Sequence, residues 1–132
     1  MKYEFDLDIQ RIAEEISKML FPHIDIERIK CFRSYGTSSK RTIARCHALG
    51  KAMQLGMEKN KGFYVLEFIA RRFDKLSKEE QIKVIIHELM HIPKSFGGGF
   101  KHHNVVTEGN VKKVYEHYTK LKQKENHHYQ NI

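Results

Sequence analysis

The chain has 132 residues, 24 Lys and Arg against 16 Asp and Glu, and a formal net charge of +8. That length suits a single domain, 1–132, able to bury one core without staples. No apolar run nears the ~20 residues of a membrane span, and the opening MKYEFDLDIQ has no signal-peptide core, so the expectation is a soluble, cytoplasmic, unprocessed protein.

Residues 6–20, DLDIQRIAEEISKML, carry Leu7, Ile9, Ile12, Ala13, Ile16, Met19 and Leu20. That spacing predicts an amphipathic helix, ended by Pro22. IDIERIKCF (24–32) alternates and is rich in β-branched residues, which predicts a strand. SYGTSSK (34–40) is turn chemistry. RTIARCHALG (41–50) reads as a second strand with Ile43, Arg45, His47 and Leu49 on one face. KAMQLGMEKNKG (51–62) has room for a helical turn before a loop. FYVLEFIA (63–70) is the clearest strand, apolar on both faces except at Glu67. RRFDKL (71–76) is a connector whose Phe73 and Leu76 plug the core.

SKEE (77–80) is a capping box, in which the Ser77 hydroxyl and the Glu80 carboxylate each satisfy the other's backbone. A helix therefore starts near residue 78, and Pro93 stops it at Ile92 or just before. Residues 104–125 carry Val111, Val114, Tyr115, Tyr118 and Leu121 at helical spacing, with Gly109 interrupting the first turns. QKENHHYQNI (123–132) reads as a frayed polar tail. Strands cluster in one block between helices, so the fold class is α+β.

At about 100° per residue, Ile82, Ile85, Ile86, Leu89 and Met90 fall in one arc of the 78–92 helix. His87 and His91, one turn apart, project from the other side. Glu88 follows the first histidine and projects to the flank, within reach of a water on the ion but outside its ligand set. This is H-E-x-x-H on a helix. Zinc takes neutral nitrogen donors and, in catalytic sites, keeps a position open for water, whose pKa it lowers to roughly 7. A carboxylate can then take that proton and return it to a leaving amine.

Two histidines leave such a site incomplete. Pro93 turns the chain out of the helix, and Gly97, Gly98 and Gly99 let it fold back toward His102 and His103. His103 ranks first as third metal ligand, His102 second, and Glu108 and Glu116 third. His102, Lys101 and Tyr118 are candidates to stabilise an oxyanion. His23, His47 and His117 have no partner at ligand spacing, and His127–His128 sit in the tail. Cys31 and Cys46 lack metal-ligand spacing and read as small buried thiols on neighbouring strands. Lys and Arg are spread from Lys2 to Lys124, so the basic charge reads as a solvated surface, with nucleic acid kept as a partner expectation.

LSKEEQIKVIIHELMHIPKSFGGGFKHH, with a weaker echo in FYVLEFIARRFDKLS, resembles the zincin metallopeptidases. It is most similar to a compact archaeal and phage group related to SprT-like proteins. The resemblance implies a minimal zincin: an N-terminal helix, a small three-stranded sheet, an active-site helix and a C-terminal helix. It implies a third ligand closing a G-G-x-x-x-H segment, which Gly98 and Gly99 place at His103. It also implies a polypeptide substrate bound in extended form on the edge strand beside the active-site helix, with FYVLEFIA as candidate. The sequence departs from metzincins, having no H-x-x-G-x-x-H spacing, and from SprT proteins, since Asn104 rather than glycine follows His103.

The expected function is zinc-dependent hydrolysis of peptide bonds by a zinc-activated water, with His87, His91 and His103 holding the metal and Glu88 as general base. The alternatives are a metal-dependent nuclease and a nucleic-acid-binding module with structural zinc.

Overall fold

The computed structural model describes residues 1–130, with side chains as far as residue 126. It is α+β. A short strand, β1 (Lys2–Phe5), leads into α1 (Leu7–Leu20). Asp6 caps that helix, its side chain accepting from Ile9 N at 2.8 Å. Ile9, Ala13 and Ile16 bury one face. Gln10, also buried, pins the helix to the sheet: its Nε2 donates to Ile29 O at 2.9 Å and its Oε1 accepts from Cys31 N at 2.8 Å.

The strand expected at 24–32 begins later. Asp25 caps a 3₁₀ turn at Ile26–Arg28, accepting from Glu27 N, and β2 runs Ile29–Tyr35. β3 (Ala44–Ala48) and β4 (Tyr64–Ile69) follow, separated by the short helix α2 (Lys51–Gly56). The connector after β4 opens with one helical turn, α3 (Ala70–Phe73). Phe73 plugs the core there, its ring 5.0 Å from that of Phe68.

The sheet has four strands, not the expected three, in the order β1-β2-β4-β3. β2 and β4 are parallel, and the other two pairs are antiparallel. All four residues of β1 are exposed, so its sequence carries no buried face to betray a strand. β4 lies in the interior, bonded on both sides. Its apolar residues on both faces are those of a central strand. FYVLEFIA is therefore not an edge, and the edge beside the histidine helix is β3. Nor are the cysteines on neighbouring strands: Cys31 and Cys46 both stand opposite Leu66, with β4 between them. Two strand spacings of ~4.8 Å exceed a disulfide's reach, and both thiols are free.

α4 (Lys78–Met90) starts where the capping residues place it, with Glu80 N donating to Ser77 Oγ at 3.2 Å. The Glu80 carboxylate does not complete the box but lies 3.6 Å from Lys83 Nζ. α5 (Glu108–Gln130) begins after Thr107, whose Oγ1 accepts from Asn110 N at 3.1 Å. Residues 102–106 form turns instead, Val105 N and Val106 N both donating to His102 O. Gly109 sits inside the first turn without breaking it, and residues 123–130 are helical rather than frayed, as their Gln, Lys and Glu content favours. The side chains of His127 and His128 lie outside the described residues.

Tyr64, Leu66 and Phe68 on one face of β4 pack with Ile29 and Cys31 of β2 against Ile16 of α1 and Ile85, Ile86 and Leu89 of α4. Val111 and Tyr118 of α5 close this core from outside. No described helix is long and apolar enough to cross a membrane.

Candidate metal centre

α4 buries Ile85, Ile86 and Leu89 in the core and turns His87 and His91 toward a cleft. The cleft encloses about 850 Å³, within the usual range for small-molecule and peptide sites. One wall is the edge strand β3 with the residues leading into it, from Arg41 to His47. The other walls are α4, residues 100–103 and the first turns of α5. Because β3 is an edge, residues from both of its faces reach the cleft.

His87 Nε2 and His91 Nε2 stand 3.2 Å apart. His103 completes the group, its ring centre 5.5 Å from that of His87 and 4.8 Å from that of His91. One nitrogen from each of the three imidazoles lies within 4.8 Å of the others. Among the described residues this is the cluster suited to a metal ion, and it contains three donors, not four.

Those donors fit a metal such as zinc. Two nitrogens each ~2.0–2.1 Å from one tetrahedral ion stand roughly 3.3 Å apart, close to the distance between His87 and His91. The His91 ring is oriented for ligation, because its Nδ1–H donates to Lys101 O at 2.6 Å, which leaves the Nε2 lone pair facing the cluster. Lys101 N donates back to His91 O at 2.8 Å, so residues 91 and 101 hold each other. Burial, with His91 and His103 nearby, lowers the His87 pKa to about 4. Burial also lowers that of His91, and the neighbouring histidines add to it. Neutral imidazoles are what a metal needs.

Glu88 is 4% exposed and lines the same cleft. Burial raises its pKa to about 7. A carboxyl so placed can exchange a proton near neutrality.

The remaining candidates separate by position. His102 and Lys101 line the cleft beside the cluster, as does Glu108. Glu116 is exposed on α5 and does not line the cleft. Tyr118 is turned to α1, donating to Glu15 Oε1 at 3.4 Å, so it cannot serve an oxyanion here. His23 bonds Ile92 O at 3.1 Å, His47 bonds Glu67 Oε1 at 2.7 Å, and His117 is exposed.

Sequence reasoning passed over two residues that shape the site. The Tyr64 hydroxyl accepts from Gly98 N and donates to Gly99 O, each at 2.9 Å. Gln54 Nε2 donates to Gly97 O at 2.9 Å. Both serve the glycine loop between His91 and His103. Tyr64 looked like an ordinary strand aromatic, and a lone Gln in a short helix gives no signal.

No curated protein and no solved structure matches the chain. A family model described as "Putative phage metallopeptidase" matches residues 1–127. That match spans nearly the whole chain, including the histidine helix, the glycine loop and the edge strand, and the chain belongs to this metallopeptidase family.

Proposed function

We propose that the chain is a zinc metallopeptidase in which His87, His91 and His103 hold the ion and Glu88 is the general base. One observation carries this reading: three imidazoles converge at a cleft that also holds a buried carboxyl whose pKa burial raises to about 7. A three-nitrogen set leaves a coordination position open, as catalytic sites require and closed structural sites do not. Held by these three histidines, zinc would supply Lewis acidity toward a carbonyl and a water.

The chain's own groups supply the rest. Glu88 takes the proton of the attacking water and delivers it to the leaving amine, which matches a carboxyl that titrates near neutrality. β3 has a free edge along the cleft, and its unpaired backbone groups can bond an extended polypeptide. An interior β4 has no free edge for such pairing, so this reading takes β3 as the substrate strand.

The test is an incubation of the purified protein with an unfolded polypeptide, alongside metal analysis. Wild type should carry about one zinc per chain and cleave. Glu88→Gln should keep the zinc and lose turnover by roughly 10²–10⁴-fold. Undiminished cleavage by Glu88→Gln, or a wild-type chain that binds no metal, would overturn the assignment.

A further inference from the structure

His87 lies in α4 and His91 is that helix's C-cap residue, whereas His103 arrives from a loop twelve residues past His91. Some feature of the chain must fix where that loop returns. Tyr64, fully buried at the start of β4, meets it at four points. Its hydroxyl bonds Gly98 N and Gly99 O. Its ring stacks on Phe96 with centres 5.0 Å apart and meets the edge of Phe100 at 6.3 Å. From the other side, buried Gln54 ties Gly97 O to Leu49 O through its Nε2.

The fit leaves no slack. A Cβ on Gly98 would lie 2.5 Å from Leu49 O and 2.7 Å from Gln54 Nε2. Beyond this clamp only Phe100 intervenes before Lys101, whose N and O are both bonded to His91. Two residues later stands His103, and the carbonyl of His102 is held by Val105 N and Val106 N. The backbone before the third imidazole is thus bonded to His91, and the backbone around it is closed in a local turn.

We infer that Tyr64, seconded by Gln54, is the positioning residue for the third imidazole: its hydroxyl and ring place residues 96–100 so that His103 meets His87 and His91. This rests on the metal-centre reading above. Tyr64 touches neither the cluster nor a substrate and acts through the loop. Groups that orient metal ligands in this way typically change metal affinity 10–100-fold when removed.

The experiment is metal binding by Tyr64→Phe, which keeps the ring and removes the hydroxyl, and by Gln54→Met, which approaches the same loop from the other side. Zinc affinity is read by competition with a chromogenic chelator, and coordination by the visible spectrum of the cobalt-loaded protein. Ile16→Val, in the α1 core away from the loop, controls for lost stability. The expected result is a zinc affinity about 10-fold or more below wild type in Tyr64→Phe. Its cobalt spectrum should be altered, and Gln54→Met should show a smaller change of the same kind. Ile16→Val should bind as wild type does. If Tyr64→Phe fails to fold, Gln54→Met alone decides. Affinities within twofold of wild type with unchanged cobalt spectra would overturn this inference and leave the metal centre standing. An equal loss in Ile16→Val would overturn it too. A wild-type chain that binds neither ion would overturn the metal centre itself, and this inference with it.

Discussion

Glu67 is fully buried in the middle of β4, on the sheet face turned away from α1 and α4. Its Oε1 lies 2.7 Å from His47 Nε2 and 3.9 Å from Arg45 Nη1, both on β3. This carboxylate therefore holds the outward side chains of the edge strand whose flank forms the cleft wall. Burial raises its pKa, but Ser34, His47 and Arg45 together lower it by more, so the folded value lies below the ordinary one. A carboxylate shifted that way contributes stability above its unfolded pKa of ~4.3, and the contribution is lost as pH falls through the lower folded value. Glu67→Gln should cost about 1–3 kcal/mol at pH 7, and the gap from wild type should be smaller at pH 3, where protonation begins to remove the charge. Urea unfolding at both pH values measures it, and an equal gap at each would show that the charge contributes nothing. Sequence singled out Glu67 as the polar exception in an apolar strand. Its partners were out of view because they lie across a strand pairing twenty residues away.

At the scale of elements, the loop from 92 to 103 is held by bonds from Tyr64, Gln54 and His91. Gly98 sits at φ +101° with backbone and side-chain atoms against its α-carbon, whereas nothing lies within 4 Å of a Cβ added at Gly99. Gly98→Ala should therefore lose more than ~1 kcal/mol, while Gly99→Ala should be close to neutral. Thermal melts of the two variants make the comparison, and equal losses would mean that the loop yields freely. The same contrast marks what could be read in advance. The histidine helix was legible because helical period, the Ser77 cap and Pro93 all act within a few residues of one another. The four-residue β1 was not, because no side chain in it is buried. The interior place of β4 was signalled by its apolar faces, but strand order depends on pairings between distant segments. The loop's anchors were invisible for the same reason: Tyr64 bonds Gly99 across 35 positions and Gln54 bonds Gly97 across 43.

For the whole molecule, the question is how far the metal and the fold depend on each other. The proposed ligands come from the end of α4, a helix packed into the core, and from the return loop, so an ion bound there would tie that loop to a core helix. That core, built on Ile16, Ile29, Leu66, Phe68, Ile86 and Leu89, is sealed by apolar contacts between sheet and helices. His91 and the loop are bonded to the chain itself, through Lys101, Tyr64 and Gln54. Metal should therefore act on stability by mass action, not as the element that makes folding possible. At 100 times its dissociation constant, zinc adds about 2.7 kcal/mol. For a domain of this length that is a rise in Tm of roughly 10 °C. Calorimetry with zinc and with a chelator should show this gap, and far-UV circular dichroism at 20 °C should be the same in both. His103→Ala should abolish most of the gap while leaving the chelated Tm nearly unmoved. Loss of helix on chelation would instead place this chain with domains whose binding energy is their folding energy. The clamp on the glycine loop would then be a consequence of the ion rather than its cause.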